Sequence, residues 1–462
     1  MNRGVLPAVG AALLALSAIG ASLMPVQLPA PSAAGADDRA RVAVACPSLA
    51  GTANPTAVAA GSPQGGLALA DLESPDRPTS VSGTFAVRTQ VTGPVLVSAP
   101  RLDDFSGTTR TAATAGSDGG LSMMSCRRPT AAQWFTGVTS SATATAEVVL
   151  LNADTQDAAV DIAVYGAEGR VTAPGSRGII VAGHSRRVVP LGPLFTAEQP
   201  VSLHVSTSSG RVAAAVRQRM LSDDRPAGSD WLPPTADPAT VQVIPGVPAG
   251  KGLRDLVVVN PGERTASVAL QVLGADGPTA VPGFETLDLP PGTTRTIPLS
   301  GALAAAPVGL RLSSEQRITA SVVSGNGATA AAADISTQVA TTALTGPGVL
   351  ALSAGGAATQ VLHLSSGVED PVRVRVTAAS ADGTVRLDTT VTVAGLADAT
   401  LNLPREGNLL VDVEPDVPGA VQASVAVRAN LDALIGVSSL AVMSSAAAAT
   451  LPPIRQDPRV GA

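Results

Sequence analysis

Three histidines, two cysteines and a scatter of acids would have to carry any chemistry in this 462-residue chain. A serine or cysteine nucleophile needs a base within reach, and histidine is the usual one. His204 lies between Leu203 and Val205, and His363 between Leu362 and Leu364. On a strand both point away from the apolar face. His184, in "AGHSRR", falls in a hairpin turn. All three read as surface histidines. The chain has no GxSxG, no Walker loop, no HExxH and no CxxC. Asp103-Asp104 and Asp223-Asp224 could act as glycosidase carboxylates only beside suitable partners, and they read as solvated turn residues. "GSDGG" at 116–120 is a flexible loop without the strand-to-helix setting of a phosphate cradle. The expectation is therefore no catalytic residue, no metal ligands and no cofactor.

Two aromatics and the cysteines remain. Trp134, in "WF", reads as a core anchor at a domain junction. Trp231 is the candidate ligand contact, an aromatic platform of the kind a glycan stacks on. Cys46 and Cys126 suit one disulfide in an exported chain, closing a loop of about 80 residues. A metal site is disfavoured because the histidines are scattered far downstream.

The elements that position these residues must be built from small side chains. Hydrophobic residues make up 45% of the chain, aromatics only 2% and charged residues 14%. Many small cores of Val, Leu, Ile and Ala fit that better than one large one. Lys251 is the only lysine, and the net charge of -6 argues against a nucleic-acid partner.

The N-terminus carries Arg3 and then no charge until Asp37. The apolar run Val5 to Leu28 is long enough for a hydrophobic helix across a bilayer, and Ala34 and Ala36 sit where a signal cleavage site would place small residues. Either reading, cleaved signal or membrane anchor over residues 1–36, puts the remainder outside the cytoplasm, secreted or anchored to the cell membrane.

The rest of the chain repeats. "VVLLNADTQDAAVDIAVYGAEGR" (148–170) aligns without a gap with "LVVVNPGERTASVALQVLGADGP" (256–278), so that Asn152 matches Asn260 and Val164 matches Val272. A third copy, "LHLSSGVEDPVRVRVTAASADG", places Ser366 at the Asn position. A period of roughly 100 residues suits a whole small domain. Val372, Val374 and Val376 alternate with Arg373, Arg375 and Thr377, the period of a half-buried strand. "AEG" and "ADG" mark hairpin turns, and the Asn stretches are polar turns between strands. The count is about seven strands per copy with no amphipathic helix. This predicts an all-β protein of tandem immunoglobulin-like β-sandwiches after the N-terminal helix, with a β-propeller as the alternative. The boundaries are 37–130 for a β-rich N-terminal region and 131–240, 241–345 and 346–462 for three repeats. Proline-rich joins predict a stiff rod of domains. Cys126 to Met220 is net basic and Ala351 to Asn430 net acidic, which suits attraction to anionic headgroups or wall polymers near the anchor; variation among solvated faces is the preferred explanation.

"GLSMMSCRRPTAAQWFTG" followed by the first repeat resembles an uncharacterised family of actinobacterial envelope proteins with an N-terminal membrane segment and NPG-type repeats. The chain departs from that pattern at Asn152-Ala153-Asp154 and Ser366-Gly367-Val368. The resemblance brings no activity; it implies an envelope location and partnership with glycan-synthesis enzymes. The expected function is a non-enzymatic structural or interaction protein of the bacterial cell envelope, its partners other envelope proteins or wall glycan, with membrane contact through the N-terminal segment. A glycan-binding protein is the alternative, and a hydrolase with unrecognised carboxylates ranks third.

Overall fold

Alternation decides the secondary structure. In the strand Val372–Ser380 the core receives Val372, Val374, Val376 and Ala378, while Arg373 and Arg375 face out. Arg375 meets Asp388 at 3.0 Å from the antiparallel strand Val385–Val393. The computed structural model describes residues 42–48, 56–61, 67–81, 85–99, 105–222, 225–250, 252–301, 303, 306–326, 334–353, 355, 358–432 and 434–444. These form an all-β structure of several antiparallel sheets. Among them no helix is long and apolar enough to cross a membrane. The apolar segment 1–36, Asp103-Asp104, Asp223-Asp224 and Lys251 lie outside the described residues.

The N-terminal region has two four-stranded sheets around a core that includes Cys46, Val95, Val97 and Cys126. Cys46 and Cys126 are disulfide-bonded. The bond joins the strand Val42–Cys46 to the residue after Gly120–Ser125, so it closes this region on itself and does not staple it to the first repeat. The first repeat packs two further sheets around Phe135, Leu150, Ile162, Leu191 and Leu203. In the second repeat one strand, Val308–Gly325, runs through both sheets and joins them. The corresponding stretch of the first repeat is broken into Ala197–Ser209 and Ala213–Ser222 at Gly210. Gly210 has φ 68°, and a Cβ there would lie 2.9 Å from that of Ala158. "SSEQRITAS" in the second repeat has no glycine, so nothing interrupts the strand. The third repeat merges its strands into one eight-stranded sheet whose end strands, Val385–Val393 and Asp398–Asn402, lie near each other, a nearly closed barrel. Separate propeller blades do not share strands as these sheets do.

The matched turns explain the strongest repeat signal. Asn152 Nδ2 donates to the Gln156 and Val181 carbonyls at 2.7 and 3.0 Å; Asn260 Nδ2 donates to those of Arg264 and Leu289 at the same distances. Each Oδ1 accepts a backbone N–H two residues on, at 3.0 Å. The Ser366 hydroxyl bonds locally, to the carbonyl and N–H of Val368. Both asparagines are fully buried. We expect Asn260→Ala to cost about 3 kcal/mol in urea unfolding and Ser366→Ala about 1 or less, because only the former leaves several buried backbone groups unpaired. Equal losses would contradict this account of the turn.

The units do not form a rod. The described residues belong to one compact unit, and its four parts touch one another in a closed cycle, a ring. The N-terminal region meets the first repeat through Leu72, Met124, Val149, Leu151 and Trp231. The first repeat meets the second where Thr136 donates to Ser321 Oγ at 2.6 Å. The second meets the third where Ser424 donates to the Pro245 carbonyl at 3.1 Å. The third returns to the N-terminal region, whose Leu121 and Met123 lie in the third repeat's own core. The joins predicted to be stiff spacers are tied sideways instead: Ala236 N–H donates to the Ala340 carbonyl and Thr341 N–H to that of Val243.

Candidate functional site

The last strand of each unit faces the middle of the ring. These four axial strands are Gly120–Ser125, Arg225–Leu232, Ile335–Val339 and Leu434–Ser444, and each touches the next in a closed cycle. Inward-facing positions on such strands meet one another and cannot reach water. Any polar group there has to be satisfied within the ring.

One carboxylate does most of this. Asp334 is fully buried and precedes the axial strand of the second repeat. Its Oδ2 accepts the backbone N–H of Leu121 at 2.9 Å and of Val437 at 2.8 Å, and its Oδ1 accepts that of Ile335 at 2.9 Å. Ser229 N–H also bonds to it. All four units therefore donate to a single side chain. Space for it exists because residues 120 and 228 are glycine: a Cβ on Gly120 would fall 2.2 Å from Asp334 Oδ1, and one on Gly228 2.7 Å from the Ile335 nitrogen. Both glycines have positive φ, 129° and 113°.

A second acid, Asp230, lies beside it, also buried. Ser438 donates to Asp230 Oδ1 at 3.2 Å and accepts the Met123 N–H at 3.1 Å; Ser122 donates to the Ser229 carbonyl at 2.7 Å. Arg217, 0% exposed, bonds to Ser229 Oγ at 2.9 Å and Asp118 at 3.3 Å, with its guanidinium 5.4 Å from the Trp231 ring centroid. Asp118 also takes Arg219 Nε at 2.7 Å. Burial lowers the Arg217 pKa, although Asp118 opposes the shift. Burial raises Asp334 to about 7 against the pull of its N–H donors. Burial and the neighbouring Asp334 push Asp230 well above the usual carboxylate range.

Raised folded-state values fix the sign of a pH effect. The folded state holds protons that the unfolded chain releases near pH 4, so the stabilisation is complete below that and fades as pH rises through about 7. We expect the melting temperature to fall between pH 4.5 and 8, by an amount on the order of a few kcal/mol in stability, and Asp334→Asn to flatten the slope. A melting temperature that rises across this window in the native chain would contradict it.

At the far ends of the axial strands the ring opens into a cavity of about 380 Å³. All four units line it, with Gly107 and Arg127, Gln133 and Pro234, Thr341, and Met443 among the walls. Arg127 Nη2 donates to the Pro234 carbonyl at 2.9 Å, and Nη1 lies against the Met443 sulfur. Its Nε is buried without a partner, as is Thr341 Oγ1. Burial lowers Arg127 to about 10.

Other sequence candidates lie elsewhere. Trp231, the candidate ligand contact, is 3% exposed in the seam between the N-terminal region and the first repeat, covered by Arg217, so its face is not available to a glycan. Trp134 is buried near Tyr165 and Val259 and stacks on His204 at 4.3 Å, which makes His204 half-buried rather than a surface residue. His363 is 2% exposed, not solvated: its Nδ1 lies 3.2 Å from Asp398 Oδ2, and Ser365 donates to Oδ1 of the same carboxylate at 2.5 Å. His184 sits in a turn with φ 49°. Among the described residues no three His, Cys, Asp or Glu side chains are grouped to hold a metal. Asp334, Asp230, Arg217 and Arg127 carried no motif; Asp334 is a lone acid in "AAADISTQV".

Fold and site define a closed all-β ring with a polar axis and an axial cavity. The chain belongs to DUF5719, a family of unknown function, whose model matches residues 86–404. No curated protein matches it. Among solved structures it is similar to a glycosyl hydrolase family 2 member from Bacteroides cellulosilyticus DSM 14838, at 10% identity and a TM-score of 0.12. That likeness covers 62% of this chain and 36% of the other, and is too slight to bear on fold or activity.

Proposed function

We propose that this protein is a non-enzymatic interaction protein that works outside the cytoplasm, in the bacterial cell envelope. The Cys46–Cys126 disulfide is the observation that carries the location, since such bonds persist in oxidising compartments. The charge-free apolar stretch before Asp37 supports the same reading as a signal or membrane anchor. The actinobacterial resemblance, with its NPG-type repeats, points the same way. Each of the three repeats is read as a variant of an immunoglobulin-like sandwich, the third closing toward a barrel, and the ring as a rigid platform holding loops and an axial cavity at fixed positions. Other envelope proteins are the first class of partner.

A wall-glycan ligand is the second reading, favoured by the axial cavity with its two arginines, Arg127 and Arg128, and its threonines. Co-purification from detergent-solubilised envelope, with thiol labelling before and after reduction, tests the proposal. The expected result is envelope-bound protein, two cysteines labelled only after reduction, and defined partners. Soluble cytoplasmic protein with both thiols free would overturn it, and hydrolysis of a wall glycan by the purified chain would defeat the non-enzymatic part.

A further inference from the structure

Among the described residues Arg127 has no counter-charge. Its terminal nitrogens donate to a neutral carbonyl and lie against a sulfur, which is a weak acceptor, and no carboxylate among the described residues pairs with it. Asp237, exposed, lines the same cavity but forms no ion pair with it. Arg127 is half-buried with its Nε enclosed and unpartnered, and a guanidinium held so at a cavity wall leaves charge-assisted hydrogen bonds unmade. Thr341 lines the same cavity with its hydroxyl buried and unpartnered. Thr130 and Thr235 add hydroxyls from two other units. Apolar walls come from Phe105 and Val349. The volume falls in the range of small-molecule sites.

We propose that the axial cavity binds a small hydroxylated anion, a sugar carrying a carboxylate or phosphate, with the anionic group at Arg127 and the hydroxylated body along the threonines. The anion supplies Arg127 with its missing charge and replaces the Met443 sulfur as an acceptor. The threonine hydroxyls exchange bonds with the sugar. This goes beyond the proposed function and holds wherever the protein resides, so it can fail while co-purification with envelope partners succeeds.

Calorimetric titration of the full-length chain with glucose 1-phosphate, glucuronate, glucose and inorganic phosphate tests it. At least one sugar anion should bind tenfold or more tighter than glucose, more weakly as salt rises. The tighter of the two sugar anions assigns the group as phosphate or carboxylate. Arg127→Gln should weaken that anion at least tenfold, and Arg295→Gln, at an exposed residue, should leave it unchanged. Thr341→Val should weaken the sugar anion severalfold and leave inorganic phosphate alone. Binding of glucose equal to that of both anions, no binding of either anion at millimolar concentration, or full binding by Arg127→Gln would each overturn the proposal. Should Arg127→Gln not fold, sugar-anion binding that is independent of salt, or unaffected by Thr341→Val, would overturn it as well.

Discussion

Replacing Asp334 by alanine should unfold or open the ring under conditions where the native chain is stable. The substitution orphans the N–H groups of Leu121, Ile335 and Val437, with that of Ser229 besides, all directed at one carboxylate. A buried donor left unpaired costs about 1–3 kcal/mol. Losing the carboxylate's own burial penalty offsets part of this, which leaves a net loss on the order of 5 kcal/mol. That is comparable to the whole stability of many domains. Asp334→Asn should be milder, because an amide oxygen can keep the bonds from Leu121 and Val437. Urea unfolding of the two variants ranks them. If alanine proves as well tolerated as asparagine, the carboxylate is not what fastens the axis.

Removing the disulfide should cost nearly as much. Cys46 and Cys126 are separated by 80 residues. The chain-entropy estimate for a loop of that size is about 4.5 kcal/mol, an upper figure because the reduced chain retains structure. The effect should be concentrated in the N-terminal region, whose small core leans on the bond. The double variant Cys46→Ala/Cys126→Ala should therefore lower the urea midpoint and expose this region to protease first. Loss of strands from the second repeat ahead of the N-terminal region would contradict that assignment.

How far these features could be read in advance depended on whether the cause was local. Strand alternation around Val372 and the matched asparagines at 152 and 260 are local, and their pattern predicted strands and turns. The ring is not local. His363 alternates with Leu362 and Leu364 and does turn away from its own core, but that outer face is covered by the second repeat: a Cβ on Gly246 would come within 3.0 Å of the imidazole. Trp231 turns away from the first repeat's core in the same manner and is buried by the N-terminal region. A pattern of periods tells which face is outward within a domain; it says nothing of whether another domain sits there. Asp334 shows the same limit from the polar side. In sequence it is an isolated acid among alanines, and only the meeting of four strands supplies its donors. Arg127, next to Cys126, could have been noticed as part of "CRRP", but its lack of a counter-charge among the described residues is a property of the closed ring.

The central claim is that four units close on one carboxylate, and hydrogen exchange in the native state tests it most directly. The amides of Leu121, Ser229, Ile335 and Val437 come from four different units yet end at the same side chain. The closed ring predicts that all four exchange together, at the slow rate set by global unfolding, and that Asp334→Ala speeds all four. Independent rates, with the Leu121 and Val437 amides exchanging freely while those of Ser229 and Ile335 stay protected, would contradict it.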